Sequence, residues 1–95
     1  MKQQDRIKIT IFRSNKYIYA QAIKEGLVIA SDSSIKYVKD KKLNKTQQSK
    51  FVGLEVAKQL LKKKIKKAVL NRKRYAYHGR VKSLTEGLRE GGLDI

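Results

Sequence analysis

Arg6-Ile7-Lys8-Ile9-Thr10-Ile11-Phe12-Arg13 alternates apolar and polar side chains, and this pattern leaves the chain little choice of structure. Strand side chains point to opposite faces with a period of two, so Ile7, Ile9 and Ile11 share one face. β-Branched residues suit such a half-buried strand. Ser14-Asn15 supplies turn chemistry, and Tyr17-Ile18-Tyr19-Ala20-Gln21-Ala22-Ile23 reads as the returning strand. Lys24-Glu25-Gly26 turns again before a third strand, Leu27-Val28-Ile29-Ala30. Three strands joined by short loops predict an antiparallel meander.

The period then changes. Residues 31–45 are polar and read as loop, with at most a short strand at 35–38. Asn44 is a helix cap, with Gln47 three residues on to complete a capping box. Phe51, Leu54, Ala57, Leu60 and Leu61 fall on one helical face, and the opposite face is rich in lysine. Ile65-Lys66-Lys67-Ala68-Val69-Leu70 predicts a short buried strand. A strand, a long helix and a strand make a crossover of the kind that joins neighbouring parallel strands. Val81, Leu84 and Leu88 line a last helix, Gly91-Gly92 ends it, and Leu93 folds back as the apolar partner of the cap. The fold class expected is α+β, a mixed α/β arrangement. A three-stranded meander, a long helix, a further strand and a C-terminal helix pack as a two-layer sandwich. Ninety-five residues with 40% hydrophobic content support one domain with one small core, residues 1–5 being a residual tail. Met1-Lys2-Gln3-Gln4-Asp5 leads almost directly into the first strand, so no signal or transit peptide is expected.

Charge narrows the function. The chain carries 24 Lys and Arg against 8 Asp and Glu, a net +16 with a pI near 10.3. The charge is clustered: residues 56–85 contain eleven cations and no carboxylate. Single-sign clustering opposes compaction until a partner neutralises it, and it is the footprint of a polyanion binder. The densest run is Asn71-Arg72-Lys73-Arg74-Tyr75-Ala76-Tyr77-His78-Gly79-Arg80, with four cations, two tyrosines and the only histidine. Cations meet phosphates, flat rings stack on bases, and glycine lets backbone approach a ligand closely. A helix follows at once, and its free N–H groups and dipole attract anions. Arg80 at that helix start opposes the dipole, so its presence asks for another cause. A phosphate held by the helix N–H groups, the guanidinium and His78 would supply one.

The hairpin tip Arg13-Ser14-Asn15-Lys16 is the second candidate, weighed against an ordinary polar turn. Arg6 and Lys8, at polar positions of the first strand, extend the candidate RNA-binding set. Tyr17 and Tyr19 share a strand face, a setting that serves core packing more often than stacking. Lys62-Lys63-Lys64 reads as a solvated helix end with no more than non-specific phosphate attraction. Enzyme readings fail: His78 stands alone among cations, no cysteine is present for a zinc site or disulfide, and no carboxylate pair is recognisable. No cofactor and no metal are expected. Lysine exceeds arginine 18 to 6, isoleucine occurs nine times and proline is absent, which suggests an A/T-rich coding genome.

Three segments together resemble the bacterial-type large-subunit ribosomal protein eighteen family: Ile11-Phe12-Arg13-Ser14-Asn15-Lys16-Tyr17-Ile18-Tyr19-Ala20-Gln21, Tyr77-His78-Gly79-Arg80-Val81, and Leu88-Arg89-Glu90-Gly91-Gly92-Leu93. The resemblance spans residues 6–95. It implies a mixed α/β core that binds 5S ribosomal RNA in the central protuberance of the large subunit and also touches large ribosomal RNA. It implies RNA contact at Arg13, Ser14, Asn15, Lys16, Arg72, Tyr75, Tyr77, His78, Gly79 and Arg80, to which the cationic setting adds Lys73 and Arg74. Expected partners are 5S rRNA, large-subunit rRNA and neighbouring proteins of the central protuberance, without membrane or homo-oligomer. The expected place is the large ribosomal subunit, in an organelle (a plastid before a mitochondrion) or in bacterial cytoplasm. The chain departs from the family at Asn71, where Asp is usual, at Lys73-Arg74, where small residues are usual, and at Ile95, where Phe is usual. The basic N-terminal arm is nearly absent, and the segment before the long helix is shortened. Two other readings stay open on charge alone: a general RNA-binding accessory domain outside the ribosome, and a module that docks on an acidic protein or anionic membrane. An amphipathic basic surface helix with bulky apolar residues is missing, the helices being expected to cover the sheet, which weighs against the membrane.

Overall fold

The computed structural model describes residues 7–14, 16–37, 39, 42–71 and 79–95. Among them, strands β1 (Lys8–Arg13), β2 (Ile18–Lys24) and β3 (Leu27–Ser33) form the expected meander. Helix α1 (Lys45–Lys62), strand β4 (Val69–Asn71) and helix α2 (Arg80–Glu90) follow. The sheet order is β3-β2-β1-β4, with β4 parallel to β1 and the other pairs antiparallel. The crossover through α1 therefore does not join neighbours. It carries the chain from one edge of the sheet to the other, because β2 and β1 already occupy the positions between.

The β2–β3 turn is tight. Glu25 and Gly26 both have positive φ, 52° and 82°, as a two-residue loop requires to match strand twist. β3 runs to Ser33, beyond the expected Ala30, and a bulge leaves Ile29 without a partner opposite Ala22 and Ile23. Where the sequence reads as loop or short strand, Ser34–Tyr37 is a 3-10 helix; Val38 lies outside the described residues. The buried carboxylate of Asp32 explains the departure. It accepts the Tyr37 hydroxyl at 2.8 Å and pairs with Lys36 at 2.9 Å, which curls the chain back on itself. The Ser34 hydroxyl also accepts the Ile18 N–H at 3.0 Å, tying this turn to the start of β2.

Asn44 caps α1 as expected: its side chain accepts from Gln47 N–H at 2.8 Å, and Gln47 accepts from Asn44 N–H at 3.0 Å. The buried face keeps Ala57 and Leu60 of the expected one but is otherwise rotated from it. Ser49, Val52, Gly53, Val56, Ala57 and Leu60 are buried, while Phe51 is exposed and Leu54 and Leu61 are half-buried. α1 packs on two partners, the sheet through Val52, Val56 and Leu60 and α2 through its small residues, so its stripe is rotated from the one that large side chains suggest. Gln59 covers the outer edge of β3, donating to Ser31 O at 2.9 Å and accepting its N–H at 3.1 Å. Sheet edges need such cover. At the other edge β4 is shorter than expected and half-exposed rather than buried, with Val69 40% accessible.

α2 buries Val81, Leu84 and Leu88 completely, in one core with Ile9, Ile11, Ile18, Val52, Val56 and Leu60. Each large aliphatic side chain so buried contributes about 1.5–3 kcal/mol. Its C-terminus closes as expected. Gly92 has φ +110°, Gly92 N–H bonds Arg89 O, and Leu93 N–H bonds Leu88 O. α1 ends in the same way, but Lys64 holds the left-handed position at φ +65°, with Ile65 N–H on Leu60 O.

The two helices touch backbone to backbone. A Cβ on Gly53 would strike Leu84 O, and one on Gly87 would strike Lys50 O. Ser83 donates to Thr46 O at 2.7 Å, and Lys50 pairs with Glu90 at 3.0 Å along the same seam. Gly53→Ala and Gly87→Ala should therefore each lower stability by a net ~1–3 kcal/mol in chemical denaturation, although alanine alone would favour a helix by about 1 kcal/mol. Unchanged or raised stability would show that the helices separate freely.

Candidate nucleic-acid interface

The β1–β2 hairpin closes through Ser14. Its N–H donates to Tyr17 O at 2.8 Å, and its hydroxyl accepts Tyr17 N–H at 3.1 Å. These bonds use the turn chemistry read in the sequence, and they leave Arg13, Ser14 and Lys16 exposed at the tip. Asn15 lies outside the described residues.

Gly79 precedes α2 with φ +60° and ψ −127°, a conformation open almost only to glycine. Among the described residues nothing lies within 4 Å of where its Cβ would be, so the demand seen there is conformational and not steric. No side chain caps the helix, and its first turn holds no acid. The chain then brings two distant segments together. Arg80 donates from Nη2 to Ser14 O at 2.9 Å, across 66 positions of sequence. Burial, and next the charge of Arg13, push the Arg80 guanidinium below its ordinary range, although it stays protonated. Arg13, Lys16 and Arg80 thus share one end of the molecule with the start of α2. An anion bound there would relieve the repulsion between Arg13 and Arg80.

The expected cause of Arg80, a phosphate, gains an intramolecular companion in the Ser14 carbonyl. One donor of the five-donor guanidinium is assigned to that bond. Lys8, by contrast, does not join the tip. It pairs with Ile23 and Val69 at the opposite end of β1, five positions from Arg13 and so about 17 Å along the strand. Arg6, Arg72, Lys73, Arg74, Tyr75, Tyr77 and His78 lie outside the described residues. Asn71 ends β4, exposed, and pairs with Thr10.

The sequence reading missed an aromatic pair. Phe12 and Tyr19 face each other across β1 and β2, ring centroids 4.8 Å apart and 18° from parallel. Tyr19 stands on the face of the sheet away from the helices and is 39% exposed, so core packing is not its role. The signal was present: Phe12 occupies the polar phase of the first strand. Among the described residues no cluster of His, Cys, Asp and Glu suits a metal ion.

Arg80→Ala should cost a modest ~0.5–1.5 kcal/mol of stability, the usual net worth of one hydrogen bond, since water reaches the freed carbonyl. The backbone amide resonances of Ser14 and Lys16 should shift in the same variant. Unmoved hairpin resonances would show that the Arg80–Ser14 bond does not hold the tip.

Residues 1–95 match the model of the family described as ribosomal L18 of archaea, bacteria, mitochondria and chloroplast. The large ribosomal subunit protein uL18 of Thermotoga petrophila is 45% identical over 96% of this chain and 79% of its own length. The protein of that name from Thermus thermophilus is 43% identical over 100% of this chain and 85% of its own, and that of Desulfatibacillum aliphaticivorans is 44% identical over 97% and 80%. The chain belongs to the ribosomal L18 family and is a structural ribosomal protein, not an enzyme.

Proposed function

We propose that this protein sits in the large ribosomal subunit, binds 5S ribosomal RNA through its hairpin end, and helps anchor that RNA in the central protuberance. The observation that carries the reading is the Arg80–Ser14 bond. It unites the two stretches that the resemblance marks for RNA contact, residues 13–16 and 79–80, into one cationic surface. The names of the relatives, large ribosomal subunit proteins, support the location. The proposed contact set is Arg13, Ser14, Asn15, Lys16, Gly79 and Arg80, with Arg72, Lys73, Arg74, Tyr75, Tyr77 and His78 from the sequence between β4 and α2. Arg6 belongs to it by the sequence reading, while Lys8, at the opposite end of β1, meets RNA apart from this surface. Large-subunit RNA and proteins of the central protuberance complete the surroundings.

The physical mechanism is positioning by charge. Phosphate contacts set register and orientation, and the flat side chains of Tyr75, Tyr77 and His78 read unpaired bases. Both helices run from this end without an acid in the first turn, so both dipoles point their positive ends towards it.

Affinity for 5S rRNA should fall steeply with salt, at about −0.7 to −0.9 in log K per log salt for each phosphate neutralised. Five contacts or more then give a slope steeper than about −3. Equal affinity for an unrelated RNA of the same length, or a flat salt profile, refutes the assignment. Replacing Arg13 and Lys16 together by Ala should weaken 5S binding and leave the melting temperature nearly unchanged, because exposed charges contribute little to folding. Normal binding by that double variant would reduce the tip to a turn.

A further inference from the structure

The lysines that follow α1 are not a loose tail. Lys62, Lys63, Lys64, Lys66 and Lys67 are all exposed, and hydrogen bonds fix the backbone between them. Lys63 N–H bonds Leu60 O, Lys64 N–H bonds Leu61 O, and Ile65 N–H bonds Leu60 O. Asp94 N–H then bonds Lys66 O at 2.7 Å, and Lys67 bridges Asp94 in parallel. A fixed backbone presents its charges at low ordering cost.

Their place in the fold is opposite the hairpin tip. α1 starts beside α2, where Thr46 meets Ser83, and it ends 18 residues later, about 27 Å away. There Val69 N–H bonds Ile7 O, and Lys8 stands beside Val69. Six cations therefore gather at the far end. Asp94 lies among them, but its carboxylate forms no ion pair with these lysines. The Asp94 carboxylate and the two helix C-termini, roughly half a negative charge each, together amount to about two charges, too little to balance six ammonium groups. Backbone strain adds a second, independent observation. Lys64 occupies a left-handed position, φ +65°, that glycine fills without strain, at the centre of a run of like charges. Folding alone would favour glycine there on both counts.

We propose that residues 62–67, with Lys8, form a second polyanion-binding pole. It takes the phosphate backbone of an RNA segment separate from the one at the hairpin tip, so that the protein holds two stretches of RNA at its two ends. The proposal rests on the RNA-binding reading above but requires a different surface. Lysine suits it, since a compact ammonium on a long stem follows a phosphate backbone without reading bases.

The test uses the full chain, 5S rRNA, and a short labelled double-stranded RNA of unrelated sequence. Protein saturated with 5S rRNA should take up the duplex as a ternary complex. Changing Lys62, Lys63, Lys64, Lys66 and Lys67 together to Gln should lower duplex affinity about tenfold or more. It should also make the salt slope shallower by roughly 2, the loss of about three phosphate contacts. The 5S step should change little, and the same five positions changed to Arg should keep the ternary complex. Lys64→Gly alone should raise the melting temperature and weaken duplex uptake. Absence of a ternary complex, undiminished uptake by the Gln variant, or displacement of the duplex by phosphatidylserine vesicles would overturn the second pole. Failure of 5S specificity with the lysine effect intact would refute the anchoring role and leave the pole standing.

Discussion

Gly53 of α1 and Gly87 of α2 bring two helix backbones into direct contact, and the position of the hairpin end follows from that crossing. Because no side chain intervenes, α2 lies close enough for Val81, Leu84 and Leu88 to enter the core that the sheet and α1 share. The same approach places the first residue of α2 over the β1–β2 hairpin, where Arg80 meets Ser14. A helix held even one methyl group further out would still bury some apolar surface, but its first turn would no longer stand over the tip. The crossing is thus as much a condition of the proposed RNA surface as of stability.

Charge works against this compactness. A net +16 on 95 residues repels itself, and the fold meets that repulsion by arrangement and not by neutralisation. Asp32 is buried and commits itself to Lys36 and Tyr37, while Glu90 pairs with Lys50 in the helix seam. The carboxylates serve the architecture and leave the cations at the hairpin tip and after α1 turned outward. A protein organised in this way gains stability when its polyanion arrives, because only the folded state presents the charges in register.

Much of the architecture was legible in the residues. The alternation through Ile7, Ile9 and Ile11 announced β1, Asn44 with Gln47 announced the start of α1, and Gly91-Gly92-Leu93 announced the close of α2. These signals are local: a period, a capping side chain, a residue that tolerates positive φ. The buried stripe of α1 was misread in part: Ala57 and Leu60 belong to it as expected, but Ser49 and Gly53 are small and register as weak apolar signals although they permit the closest approach. The 3-10 helix after β3 was illegible because Asp32, Lys36 and Tyr37 become partners only once the strand buries the carboxylate. Phe12 was overlooked as half of an aromatic pair because its partner, Tyr19, stands on another strand.

By itself, the sequence determined the kinds of elements, their order, the excess of positive charge and the residue types suited to phosphate. Each depends on neighbours within a few positions or on composition, and needs no knowledge of what packs against what. Only the tertiary structure decided which cations stand together. Arg13 and Arg80 are far apart in the chain and share one end, whereas Lys8, five positions from Arg13, stands at the other beside the lysines of residues 62–67. The physical reason is that a strand sends its two ends to opposite sides of a domain, while β4, parallel to β1, heads the chain back towards the hairpin side after α1 has carried it away.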